Sequence, residues 1–349
     1  MSSSASSPPL STGRKLLFGT TYLAVLLVVF LAAAEIILRA KGLMPEQSHR
    51  IDIRIHPGGR LIARHPRLGF THVSGSHVVE LPSGFRFRFT ILPNGLRITR
   101  PLESYATADT REKIWIFGCS FTEGWSLNDD ETYPWLLQQR YPRYEVVNFG
   151  VGGYGTVHSL LQFREALETT TPKLVVLAFA DFHEERNTLA RSHREAIRTD
   201  NDLGPLQHPY AWLDANDRLE IGYSTADYHA FPLERRSALA QFVDTQINRL
   251  DTRIRRSDAV SRKLIVEMAR LAKSHGVVFV LANIDRGLEG RRMLMFAESV
   301  GIPTVDISVN RGDLHNTNLP HDAHPSALAN RIFADRLDRY LRPYLANQP

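Results

Sequence analysis

Five short apolar runs recur through the carboxyl-terminal part of the chain: Ile114–Phe117, Tyr144–Phe149, Lys173–Ala180, Val277–Ala282 and Pro303–Ile307. Each has strand length and stops at a Gly, Asp, Asn or Ser. Between them lie segments with helical apolar spacing: Tyr133–Tyr141, Thr156–Leu167, Ala238–Ile254, Ser261–His275, Gly287–Val300 and, last, Ala327 to about Leu345. Strands that alternate with helices need crossovers. The pattern therefore predicts an α/β domain built on a parallel sheet.

Composition narrows the class. The 349 residues are 43% hydrophobic and 23% charged, a balance that excludes wholesale disorder. The net charge is +5, but the basic residues are interspersed with acids and no zinc-ligand spacing appears. That argues against a nucleic-acid partner. Cys119 is the single cysteine, so no intramolecular disulfide forms.

The amino-terminal residues 1–15 are rich in Ser, with Pro8 and Pro9, and end on Arg14 and Lys15. They read as a tail lying in the cytoplasm. Leu16–Ala34 carries no charge, and Ile36–Leu38 extends the run past Glu35. Residues 16–38 are expected to anchor the chain in a membrane. Ala32-Ala33-Ala34 offers a secretory cleavage site as the rival reading, but the run is longer than a signal core and continues beyond that site. The carboxyl-terminal part would then lie outside the cytoplasm, in the periplasm if the source is Gram-negative.

Residues 39–110 form a linker and a small β extension by this reading, with Pro45, Pro57, Pro66, Pro82, Pro93 and Pro101 as punctuation. His77–Leu81 and Phe85–Ile91 alternate, and Pro82-Ser83-Gly84 suits a hairpin between them. Asn94-Gly95 marks another tight turn. Arg86 and Arg88 fall on the outer face of the second run. They meet water, or else an anionic glycan or lipid headgroups.

The chemistry gathers at the ends of the strands. Gly118-Cys119-Ser120 follows the first run and precedes a turn, placing a hydroxyl at the carboxyl edge of the sheet, where open α/β folds hold ligands. Gly124 comes too late for a Gly-x-Ser-x-Gly elbow. The second strand runs into Asn148-Phe149-Gly150-Val151-Gly152-Gly153, where backbone N–H groups can approach an anion. This is not a dinucleotide fingerprint. Pro320-His321-Asp322-Ala323-His324-Pro325 precedes the last helix and offers a carboxylate and a base. A metal site on His321, Asp322 and His324, completed by His315 or Asp306, is the competing reading.

Together these segments resemble the SGNH (GDSL) hydrolases over residues 112–345. Gly118-Cys119-Ser120-Phe121-Thr122-Glu123-Gly124 is similar to the family's Gly-Asp-Ser-x-Thr-x-Gly, with Cys119 in the Asp position. Gly153 matches the glycine of the second motif. Asp322-Ala323-His324-Pro325 resembles the last motif, Asp-x-x-His-Pro, with one residue fewer. The third motif, Gly-x-Asn-Asp, corresponds to Ala178-Phe179-Ala180-Asp181, so Ala180 stands where the family has an Asn that donates to the oxyanion. His183 and Asn187 lie close enough in sequence to substitute.

The resemblance implies a three-layer α/β/α, flavodoxin-like domain over residues 111–349, with about five parallel strands and an insertion near 183–235. It also implies a serine esterase: Ser120 as nucleophile, His324 as base, Asp322 as its orienting carboxylate, and the N–H groups of Ser120 and Gly153 as the oxyanion hole. His321 competes with His324 as base. No cofactor or metal is implied. An acylated, and most simply acetylated, glycan is the expected substrate class. An O-acyltransferase and a non-catalytic glycan-binding or assembly protein on the same fold are the alternatives. In an extended strand end the side chain of Cys119 points away from that of Ser120, so a buried, inert thiol is expected.

Overall fold

The computed structural model describes residues 11–46, 52–107, 109–197 and 203–345. Most of the expected cytoplasmic tail (1–10) lies outside the described residues, as do 47–51 of the linker and 198–202 of the insertion. The chain divides into two compact units, Met1–His49 with His229–Arg249, and Arg50–Tyr228 with Leu250–Pro349.

In the first unit, α1 (Thr12–Ala40) is a helix of 29 residues, none of them buried. At ~1.5 Å per residue it is roughly 43 Å long, enough to cross the roughly 30 Å of hydrocarbon in a bilayer. Glu35, the first charge after the apolar run, accepts from Ser237 Oγ at 2.7 Å and from the N–H groups of Ala238 and Leu239 at 2.9 and 2.8 Å. These N–H groups open the helix that starts at Ala238, so a side chain of α1 caps it.

The second unit begins with the β extension, which is larger than its two expected strands. β1 (Arg54–His56), β2 (Ile62–His65), β3 (Gly69–His72), β4 (Gly75–Glu80) and β5 (Arg86–Ile91) form an antiparallel sheet ordered β1-β4-β5 and a separate β2-β3 ribbon. The expected hairpin is β4-β5. The alternation of β5 buries Phe87, Phe89 and Ile91 and exposes Arg86 and Arg88. Both arginines bind acids of this chain, Arg86 with Glu80 at 2.7 Å and Arg88 with Asp130 at 2.9 Å.

Then come β6 (Lys113–Phe117), the single turn α2 (Ser120–Glu123), α3 (Tyr133–Arg140), β7 (Glu145–Asn148), α4 (Thr156–Leu167) and β8 (Leu174–Phe179). The insertion holds α5 (His183–Asn187), α6 (Arg191–Ile197) and a hairpin of β9 (His208–Leu213) and β10 (Leu219–Ser224). α7 (Ala238–Ile254), which belongs to the first unit as far as Arg249, has its expected bounds. α8 (Ser257–Ser274) starts earlier than expected, because Arg256 takes a left-handed conformation (φ 55°) that lets the chain turn out of α7. β11 (Val278–Asp285), α9 (Leu288–Ser299), β12 (Thr304–Val309) and α10 (Ala327–Leu345) complete the unit.

The main sheet is ordered β7-β6-β8-β11-β12, with every pair parallel. Alternation along the strands fills both faces. Ile114, Ile116, Val176, Ala178, Val280 and Ala282 pack with Phe333, Leu337 and Leu341 of α10. Trp115, Phe117, Val175, Leu177, Phe279 and Leu281 pack with residues of α4, α8 and α9. The result is the expected three-layer α/β/α sandwich. Its strand order reverses at β6, so the carboxyl ends of β6 and β8 flank the topological switch point, where such sheets bind ligands.

Candidate active site

Ser120 is the first residue of α2, directly beyond β6, and is 8% exposed. Its Oγ lies 3.0 Å from Nε2 of His324. The Nδ1 of His324 lies 2.5 Å from Oδ1 of Asp322. A carboxylate can only accept, so Nδ1 carries the proton and, in the neutral ring, Nε2 is left to accept from the serine hydroxyl. Burial opposes the charge on Asp322, but its hydrogen bonds from His324 and Ser126 outweigh it and hold the carboxyl below its usual range. Ionised Asp322 thus fixes the tautomer that a general base needs.

The short Asp-x-His spacing works through a local turn. Asp322 Oδ1 also accepts from the main-chain N–H of His324, at 2.7 Å. Asn318 braces the same loop: its carbonyl accepts from the N–H of Asp322 at 3.1 Å, and its Nδ2 reaches Ser126 O and Oγ, both at 2.9 Å. Ser126 Oγ in turn donates to Asp322 at 3.4 Å. The Phe121 ring closes one side, edge-on to His324 with centroids 5.7 Å apart.

The glycine loop is bound to the serine turn. Asn148 Nδ2 donates to Thr122 O at 3.0 Å, and its Oδ1 accepts from Gly150 N at 2.9 Å. A Cβ on Gly150 would sit 2.3 Å from the Glu123 nitrogen, so only glycine allows this contact. Gly153 has φ +84°. Among the described residues, neither the N–H of Ser120 nor that of Gly153 donates to a protein acceptor.

The other residues singled out in the sequence take these places, and those proposed as substitutes are corrected. Ala180 is fully buried and brings no donor. His183 and Asn187 do not replace the missing Asn. Asn187 accepts from Val157 N at 3.0 Å and donates to Ser261 Oγ at 2.9 Å, between α4 and α8. His183 is fully buried beside Thr156, and burial pushes it well below its ordinary pKa. Asp181 turns to the first turn of α9, accepting from Gly290 N at 2.7 Å. His321 stacks on Phe85 with centroids 5.1 Å apart and is no partner of Ser120. The two ring nitrogens of His324 are engaged by Asp322 and Ser120, which leaves neither for a metal shared with His321. Cys119 is fully buried as expected, and burial raises its thiol pKa, as befits an inert thiol.

Three supporting residues left no mark in the motifs. Arg97 is 1% exposed and donates to the carbonyls of Arg88, Glu123, Gly124 and Leu127 at 2.6 to 2.9 Å, with Asp129 3.0 Å away. It sews the β extension to the turn after Ser120. His72 of β3 reaches the same turn, with Nε2 2.5 Å from Glu123 Oε1. Arg186 of α5 lies against the Cys119 thiol and donates to Tyr154 O at 2.9 Å. It thereby joins the neighbours of Ser120 and Gly153, and burial lowers its pKa. Only contacts distant in sequence reveal these roles.

No family model and no curated protein matches the chain. Among solved structures it is similar to the psychrotrophic esterase EstA from Pseudoalteromonas sp., at 12% identity over 68% of this chain and 100% of that one, with a TM-score of 0.39. It is similar to a GDSL-like lipase from Bacteroides thetaiotaomicron at 16% identity, over 69% and 94% of the chains, with a TM-score of 0.39. A two-domain esterase active on acetylated mannans shares 12% identity over 68% of this chain and 51% of its own, with a TM-score of 0.38. The likeness concerns the course of the backbone, and the chemistry is read from this chain's own residues.

Proposed function

We propose that the protein is a membrane-anchored, extracytoplasmic serine esterase of SGNH type. The observation that carries this reading is the unbroken chain from Ser120 Oγ through His324 to Asp322, at 3.0 and 2.5 Å. Ser120 attacks an ester carbonyl while His324 takes its proton at Nε2. The imidazolium is stabilised by Asp322. The N–H groups of Ser120 and Gly153 receive the oxyanion. His324 then returns the proton to the leaving alcohol. Water releases the acyl group by the reverse sequence, with His324 as base again. A sugar hydroxyl in place of water would make the same site an O-acyltransferase. The substrate is an exported or cell-wall glycan bearing acyl, most simply acetyl, esters. That part of the reading rests on the anchor α1 and on the resemblance of the motifs.

One observation favours a second reading. Ala180 removes a side-chain donor, and loss of an oxyanion donor costs about 2.7–4 kcal/mol of transition-state stabilisation. A protein that binds the glycan without cleaving it would tolerate that loss. Fluorophosphonate labelling of the detergent-solubilised full chain, run beside Ser120→Ala and His324→Ala with aryl-acetate turnover in parallel, separates the two. Labelling and turnover confined to the unmodified protein support the esterase. A folded protein that neither labels nor turns over supports the binding protein.

A further inference from the structure

Helix α7 leaves a row of aliphatic side chains uncovered. At ~100° per residue, Leu239, Val243, Ile247, Leu250 and Ile254 fall on one stripe. Val243 and Ile247 are each 36% exposed, Leu250 is 55% and Ile254 71%, and Phe242 at the edge of the stripe is 40%. The helix packs through another side, where Ala238, Ala240 and Asp244 are buried. The stripe is therefore not the packing face frayed open.

What covers it follows from where the helix begins. The first N–H groups of α7 bind Glu35, the residue at which the uncharged run of α1 ends. Arg39, one turn further along α1, donates to Arg236 O at 2.9 Å just before α7. If Leu16–Ala34 fills the hydrocarbon, the start of α7 is held at the hydrocarbon edge. Arg235, Arg236, Arg249 and Arg253 are exposed there and along the side of α7 next to the stripe. Aliphatic residues on one sector with arginines beside them match a helix lying in a bilayer interface, where the arginine stems reach up to lipid phosphates.

We propose that α7 is an interfacial helix that inserts its Val243–Ile254 stripe into the headgroup and acyl boundary of the bilayer spanned by α1. The proposal rests on the membrane reading of α1. It is independent of the esterase chemistry. It makes α7 a second membrane contact.

The test uses the full chain in vesicles of phosphatidylethanolamine and phosphatidylglycerol, with and without brominated acyl chains. Single cysteines are introduced as Leu23→Cys in α1, Ile247→Cys and Ile254→Cys in the stripe, and Lys263→Cys on the exposed side of α8, each labelled with a nitrobenzoxadiazole dye. The native Cys119 is buried and stays unlabelled in the folded protein. At a burial depth of about 5–10 Å, the labels at 247 and 254 are expected to lose roughly half of their emission or more, and the label at 263 little. Quenching at 23 without quenching at 247 and 254 overturns the interfacial helix and leaves the anchor standing. In that case, protection from aqueous iodide at 247 would assign the stripe to a second copy of the chain. No quenching at 23 overturns anchor and interfacial helix together.

Discussion

Oδ1 of Asp322 accepts two hydrogen bonds from one residue, 2.7 Å from the main-chain nitrogen of His324 and 2.5 Å from its Nδ1. The carboxylate therefore sets both the backbone turn and the ring tautomer. Asp322→Asn keeps the shape but can leave the ring with the wrong tautomer. Aryl-acetate kcat is expected to fall by about 10⁴ while the protein stays folded. Because Asp322 is held below the usual carboxylate range, it stays ionised at about pH 5 and above. Any fall in kcat/KM between about pH 7 and 5 then belongs to another group, and a pH profile of the unmodified protein checks this.

Arg97 is a buried charge that donates to four main-chain carbonyls and faces Asp129. Arg97→Met would leave Asp129 without its cation and four carbonyls without this donor. A loss of about 3–5 kcal/mol in unfolding free energy is expected, measured by denaturant titration. Because Arg97 holds the turn carrying Ser120, labelling by fluorophosphonate should weaken in the fraction that remains folded.

Arg186 joins Cys119 to Tyr154, the neighbours of the two N–H groups assigned to the oxyanion. Arg186→Met is expected to lower kcat by roughly 10-fold or more with KM little changed, since the oxyanion forms only in the transition state. Arg186→Lys should recover part of the loss. A merely structural role would lower the melting temperature in both variants and leave kcat of the folded enzyme alone.

Supplying an amide donor at this position by Ala180→Asn is not expected to help. Ala180 is fully buried in the core beside β6, and a larger polar side chain there costs about 1–3 kcal/mol by overpacking. Thermal unfolding of Ala180→Asn should show this loss, and turnover should not rise.

Glu184 provides a pH test away from the serine. Burial first, then repulsion from Glu289, Asp258 and Asp181, pushes its carboxyl up to about 7. The folded state then holds a proton that the unfolded state loses near its ordinary value of 4.5. Stability from this group is full below that value and falls as pH rises to about 7. Glu184→Gln should be more stable than the parent at about pH 8, by about 1–2 kcal/mol allowing for partial exposure, and equal to it at about pH 4. Melting temperatures at the two pH values decide it.

The parallel sheet was legible in the strand-length apolar runs, because a strand covered on both faces must be apolar along its length. The helix that opens at Ala238 and the long apolar helix α1 were legible for a similar reason, since spacing and length alone specify them. Ser120 and Gly153 stood out in the loops that follow β6 and β7, and Asp322 and His324 in the loop that opens α10, because each belongs to a short motif local in sequence. The insertion was not legible. Its β9-β10 hairpin and short helix α5 are held by packing on α4 and α8, and α6 by packing on α5, not by a period of their own. Nor did any local pattern mark Arg97, His72 or Arg186, whose bonds to Glu123 and Tyr154 close loops of 26, 51 and 32 residues. Local order, and with it the choice of candidate site residues, follows from neighbours along the chain. Which side chains brace those groups, and which cannot stand in for the missing Asn, depends on contacts that exist only once the sheet has closed between its helices.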